Sequence, residues 1–233
     1  MKKALALFAG AALFCLTAPL TQAQTFTFND HWNDWPGFNS GDTHNDDING
    51  THPSIEKMII TINDSNVLQT VQVVFNGDTR LKWDSLFINT NMTANGGWDH
   101  WDYFVHDGGT LTPEYFNGVI PGKGLYTVND PENYDYTTVK NENWRVNNPN
   151  GIDKGSLTMF DSGFTPDYDA ANGVLTYNLS SYNIGIAPDD FFFAYAPYCA
   201  NDVMGTPEPA TMLLFGTGLI GLIGIGRKRS KRS

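Results

Sequence analysis

Residues 211–226 carry no charge and sit between a Pro207-Glu208-Pro209 triplet and the cations Arg227, Lys228, Arg229, Lys231 and Arg232. No single environment suits all three parts. A Pro-Glu-Pro triplet resists both helix and strand, so it reads as an extended, accessible linker. The apolar run spans about 24 Å as a helix at 1.5 Å per residue, slightly short of a bilayer's ~30 Å hydrocarbon core. Local thinning and snorkelling of the flanking cations make up such a difference. The basic residues 227–232 act as a stop-transfer signal on the cytoplasmic side. The run therefore divides the chain: whatever folds in water lies upstream of residue 205.

The front of the chain is also a targeting segment. Met1-Lys2-Lys3 forms a basic n-region, residues 4–16 an apolar h-region, and Thr21-Gln22-Ala23 a small-x-small cleavage site. This is the pattern of a secretory signal peptide, residues 1–23, handled by the Sec translocon, with mature protein starting at Gln24. Cys15 does not make a lipoprotein site, because Phe14 and Ala12 occupy the positions where a lipobox needs a small residue and Leu.

The tripartite segment 205–233 resembles the PEP-CTERM sorting signal of exosortase substrates, on Pro207-Glu208-Pro209, the Gly-rich apolar stretch and the basic end. The resemblance implies export, transient anchoring in the inner membrane through a transmembrane helix at 211–226, and processing near Pro207-Glu208-Pro209 by exosortase. Release or transfer to the cell surface or extracellular matrix of a Gram-negative-type envelope would follow. A GxGxxG string within the run, Gly216 to Gly221, lacks the preceding strand and downstream acid of a dinucleotide site. Small residues in a membrane helix account for it.

Removing both ends leaves residues 24–204, a length that suits one domain. That domain holds seven Lys/Arg against 24 Asp/Glu, a formal charge of −17 that the basic termini mask in the whole-chain value of −11. So acidic a surface repels nucleic acid and anionic lipid and is compatible with cation binding. Only Cys199 remains in it, so no disulfide forms within the mature domain, and burial is the expected state of that thiol.

Helical periodicity is nearly absent before the tail. Short runs rich in Val, Ile, Thr and aromatic residues predict strands at 57–62, 67–75, 83–89, 98–106, 134–140, 156–160, 173–180 and 190–196. Asn63-Asp64-Ser65-Asn66 reads as a hairpin turn. Segments 121–133 and 141–154 read as long surface loops. The expectation is an all-β fold, a single β-sandwich of jelly-roll type. Trp83 to Asn89, Trp101 to His106 and Phe191 through Val203 are similar to a β-rich ectodomain that recurs upstream of exosortase sorting tails, which has no assigned activity and supports the sandwich expectation.

The most pointed chemical signal is the stretch 45–56. Oxygen side chains at Asn45, Asp47 and Asn49, Gly50 next, and Glu56 at the twelfth position reproduce the spacing of an EF-hand loop. Pro53 and the lack of flanking helices break the full match, so these residues are candidate calcium (Ca2+) ligands outside a true EF-hand, weighed against a solvated Asn/Asp-rich turn. A second cluster, Asp167 to Gly173, reads first as a hairpin loop. His100, Asp102 and His106 would share a face of an extended strand. The two imidazoles would lie about 20 Å apart there, too far for one ion.

Trp32, Trp35, Trp98 and Trp101 neighbour Asn and Asp in loop-like sequence, as sugar-stacking residues do, against the alternative that they pack in the core. There is no GxSxG and no HExxH, and 24 carboxylates always offer some suitable pair, so a polysaccharide-acting hydrolase has no specific support. The sequence points to a non-catalytic structural or adhesive module associated with exopolysaccharide, with the hydrolase as the alternative.

Overall fold

The computed structural model describes residues 23–29, 55–76, 84–108, 116–139, 149–197 and 204–205. Within them the fold is all-β, and every strand pair is antiparallel. The first sheet has the order β1 (Gln24–Asn29), β2 (Ile55–Ile62), β3 (Leu68–Phe75), β12 (Val174–Asn178), β11 (Asp167–Asp169). The second runs β10 (Leu157–Asp161), β7 (Gly124–Val128), β5 (Tyr103–His106), β4 (Asp84–Asn89), β13 (Phe192–Pro197), β14 (Met204–Gly205). The third is small: β6 (Phe116–Asn117), β8 (Tyr136–Val139), β9 (Pro149–Ile152).

The first two sheets share one core. Met58, Ile60, Val71, Val73, Leu175 and Tyr177 from the first face Leu86, Ile88, Val105, Leu125, Phe193 and Tyr195 from the second. The period-2 alternation of β2 and β3, buried at every second residue over most of their length, is the direct result of one covered face. β4 and β13 differ: all six residues of each are buried. Their second face is covered by the third sheet, where Phe87, Phe104, Phe192 and Ala194 pack with Ile152 of β9 and the half-buried Tyr136 of β8. The Phe191-Phe-Phe-Ala-Tyr-Ala run is the sequence trace of that double coverage. Gly151 allows the close approach, since a Cβ there would lie 3.3 Å from the Phe104 ring.

Several expectations hold and several need correction. The Asn63–Asn66 turn closes the β2–β3 hairpin: the Asn63 carboxamide oxygen accepts from Ser65 N and Val67 N, each at 3.0 Å, and Asn66 takes the left-handed conformation at φ 57°. Segment 121–133, read as a loop, contains β7, an inner strand of the second sheet. Segment 141–154, also read as a loop, ends in β9. The expected strand 98–106 is extended only over β5, because α1 (Met92–Asn95) and the turn after it occupy the approach.

Among the described residues the connectivity is not that of a jelly roll. Setting aside β6, β8 and β9, which form the third sheet, the strands of the two main sheets run in blocks, β1–β3, then β4, β5, β7 and β10, then β11–β12, then β13–β14, so each is more often followed by a neighbour in its own sheet than by a strand of the other. Among the described residues no helix is long and apolar enough to cross a membrane; residues 1–22 and 206–233 lie outside them.

Gly124 marks a tight point at the β7–β10 seam. Its φ is +150°, and a Cβ there would sit 2.7 Å from the Asp161 carbonyl oxygen and 3.0 Å from the Met159 sulfur. Gly124→Ala is expected to cost about 2–4 kcal/mol in denaturant melts, by strain plus backbone overlap. Gly122→Ala, whose Cβ would lie 3.7 Å from the Tyr126 hydroxyl, is the control expected to stay within about 1 kcal/mol.

Candidate functional site

The residues singled out around position 100 do come together, as a structural knot. Asn91 caps α1, its side chain accepting from Ala94 N at 3.0 Å, and Gly96 closes the turn at φ 97°. Buried Asn89, at the end of β4, donates to the carbonyls of Gly97 (2.7 Å) and Trp98 (3.2 Å) and accepts from Asn95 Nδ2 at 2.9 Å. One oxygen of Asp102 accepts from Thr90 N (2.7 Å), Thr90 Oγ1 (2.7 Å) and Asn95 Nδ2 (2.8 Å). His100 Nδ1 contacts the Asn95 carbonyl. These polar groups are occupied in satisfying a turn's backbone, so their clustering reflects local folding chemistry.

Trp101 is fully buried beneath this turn. Its indole N–H donates to Tyr136 Oη at 2.9 Å, and Tyr136 and Tyr134 hydroxyls lie 2.8 Å apart. Tyr134 also donates to the Asp99 carbonyl. Burial holds both phenols well above the usual tyrosine range, so they stay protonated. Trp98 is half-buried and meets Trp101 and Phe192 edge to face, with ring centroids at 6.0 and 5.6 Å. The expectation that Trp98 and Trp101 form a sugar-stacking pair is therefore corrected for Trp101: its faces are spent against Phe87, Phe192 and Trp98. Trp32 and Trp35 lie outside the described residues.

His106 and His100 do not converge on one centre with Asp102. His106 is buried on β5, stacked on Phe104 with centroids 6.0 Å apart. Ser85 Oγ lies 3.5 Å from its Nδ1. Both residues are buried at 1% exposure or less, so this Ser–His contact offers no path to a substrate. Among the described residues no group of three or more His, Cys, Asp or Glu side chains could hold a metal ion. Of the candidate calcium ligands, Asn45, Asp47 and Asn49 lie outside the described residues. Glu56 is exposed at a bulge of β2 and pairs with Lys57 Nζ at 2.6 Å. The Asp167–Gly173 cluster is a hairpin turn: Asp169 accepts from Ala171 N at 3.0 Å and from Asn172 Nδ2 at 2.6 Å, which holds its carboxyl below the ordinary range.

The open aromatic surface lies elsewhere. Phe160, the extra residue of a bulge between Met159 and Asp161 on β10, is 49% exposed. Half-buried Tyr103 and Tyr182 flank it, with centroids at 6.3 and 5.7 Å. Tyr182 donates to Asp161 at 2.5 Å; partial burial and that carboxylate push its hydroxyl up to about 12, and the same bond lowers Asp161. Sequence reasoning missed this cluster because no Trp marks it and its members come from three separate elements.

The second sheet ends at β14, whose backbone pairs Gly205 with Ala194 and Met204 with Tyr195. The next residue begins a recognisable segment: residues 206–229 match the family model described as the PEP-CTERM protein-sorting motif. The chain carries a PEP-CTERM sorting motif. Pro207, Glu208, Pro209 and the cations Arg227, Lys228 and Arg229 fall inside the match; Lys231 and Arg232 follow it. The motif implies an exported protein, anchored in a membrane for processing by exosortase. Comparison with curated proteins and with solved structures returned no match.

Burial pushes His106 down to about 4, a hydrogen bond to the Asp84 backbone opposing the shift in part. The unfolded chain therefore binds more protons than the native one between pH 6.5 and 4, and stability falls as pH drops through that window. Relative to His106→Gln, the wild type is expected to lose about 3 kcal/mol between pH 7 and 4, read from denaturant melts at each pH. A constant difference between the two proteins would contradict a buried neutral imidazole.

Proposed function

We propose that this PEP-CTERM protein is a non-catalytic structural or adhesive component of the cell surface or extracellular matrix, its β-domain associated with exopolysaccharide. The observation that carries the reading is the sorting motif directly behind a folded, acidic β-domain. Such a signal delivers its cargo to the outside, where polysaccharide is the abundant polymer. The exposed Phe160 ring, flanked by Tyr103 and Tyr182 and beside the Asp161 carboxylate, supports a sugar-facing role. An aromatic face packs against the C–H face of a pyranose while a neighbouring acceptor takes a hydroxyl.

The test is retention of the mature domain on the producing cells' own exopolysaccharide. Phe160→Ala is expected to weaken retention about three- to tenfold, the range of one aromatic contact. Trp101→Phe is expected to lower stability and leave retention of the folded fraction unchanged. No retention on any glycan surface, or retention indifferent to Phe160, contradicts the proposal.

A further inference from the structure

We propose that Asn117 is a self-modifying site, where the native fold leaves one Asn-Gly pair open to conversion into aspartate and isoaspartate while it protects others. The reaction consumes only water. The Gly118 amide nitrogen gives its proton to solvent base and attacks Asn117 Cγ; a C–N bond forms, and Nδ2 leaves as ammonia. Water then opens the five-membered imide. Opening at Cγ leaves an aspartate at position 117. Opening at the main-chain carbonyl carbon leaves isoaspartate, with the backbone running through the former side chain.

Six Asn-Gly pairs occur in the chain, and four have both residues described: 95–96, 117–118, 150–151 and 172–173. Glycine puts no Cβ in the way of the attacking nitrogen, so all four share the chemistry. The fold separates them. Asn95 Nδ2 donates to Asn89 Oδ1 at 2.9 Å and to Asp102 Oδ2 at 2.8 Å, and the Gly96 N–H is engaged by the Met92 carbonyl at 3.0 Å. Asn150 is fully buried and donates to the Pro197 carbonyl. Asn172 Nδ2 donates to Asp169 Oδ2 at 2.6 Å in the β11–β12 turn. Asn117 and Gly118 are both exposed. Among the described residues neither the Asn117 carboxamide nor the Gly118 amide has a hydrogen-bond partner.

The local backbone permits the approach. Asn117 ends β6, two residues at the edge of the third sheet, and Gly118 follows at φ 98°. A turn of the peptide between them, through Asn117 ψ and the glycine's permissive φ, carries the nitrogen onto Cγ. That movement costs the Asn117–Thr138 rung. It leaves buried Phe116 in place. Val119 also stays, because its N–H donates to Asp153 Oδ2 and its carbonyl accepts from Lys154 N at 2.8 Å. Nucleophile and target therefore meet through an opening of one rung, the scale of fluctuation concentrated at short edge strands.

The product bears on the fold. Each conversion adds a carboxylate close to Asp153, whose Oδ2 lies 3.0 Å from where a Gly118 Cβ would sit. Isoaspartate also lengthens the backbone by a methylene at the β6–β8 rung, which spoils its register with Thr138.

The test incubates the folded chain recovered from producing cells in heavy-oxygen water, at neutral and at mildly alkaline pH. Digestion then follows in ordinary water at acid pH, and peptide mapping uses fragmentation that tells isoaspartate from aspartate. Labelled aspartate and isoaspartate are expected at position 117 at least about tenfold above positions 95, 150 and 172, and to form faster at the higher pH. In denaturant the four pairs should converge to within about threefold, since the fold is what separates them. Asn117→Gln, which would need a six-membered ring, should abolish the product at that position and leave the other three unchanged. Native conversion at position 117 no greater than at the other three overturns the proposal. So does labelled aspartate without isoaspartate, the mark of direct hydrolysis. Where Asn117→Gln does not fold, the native and denatured wild type decide between these outcomes alone.

Discussion

The structure depends on keeping β4 and β13 dry on both faces. Both are inner strands of the second sheet, and neither has a polar side that water could solvate at low cost. One face meets the first sheet through Ile88, Phe193 and Tyr195, and the other meets the third sheet through Phe87, Phe192 and Ala194. Two of the polar groups drawn into this interior are hydrogen-bonded across it: buried Asp84 accepts from Tyr195 Oη, and Asn150 donates to the Pro197 carbonyl at 3.4 Å. The two-residue β14 then covers part of the remaining edge of β13. A long, flat, apolar strand edge invites pairing with other chains, and a short cover limits that exposure.

Much of this was legible in the sequence. Asn63 through Asn66 announced a turn because Asn side chains bond their own backbone and tolerate positive φ. The Phe191–Ala196 run announced a strand, though not that both its faces are buried. The class of the fold followed from short β-rich runs separated by turn residues. The third layer did not follow, because Phe87 and Phe104 look the same in sequence whether their face meets solvent, a ligand or another sheet. β7 was missed because it is five residues long and opens on Gly124 beside Gly122, where turn chemistry dominates the local pattern. The jelly-roll topology failed for a related reason: strand content does not report strand order.

The aromatic residues carry the clearest lesson about sites. Trp101 stands among Asp99, His100 and Asp102, a neighbourhood that reads as a polar loop, and yet it is a core residue. Asp102 accepts from the Thr90 amide and both Asp102 and Asn89 hold Asn95, so the polar groups fold the turn over the indole without being buried unpaired. Phe160 is exposed on the edge strand β10, beside exposed Thr158 and Met159, at a bulge that leaves it unpaired with β7. Function at the other end of the chain was easier to read, since a sorting motif is recognised by the order of its parts and needs no tertiary context.

The account treats the acidic β-domain as the part that operates outside the cell and the segment behind it as a delivery device. Intact-mass analysis of the protein recovered from the extracellular and surface fractions tests that division most directly. The account predicts a chain that begins at Gln24 and has lost the apolar run 211–226 by cleavage close to Pro207-Glu208-Pro209. Recovery from those fractions of a species that retains residues 211–226 would contradict it.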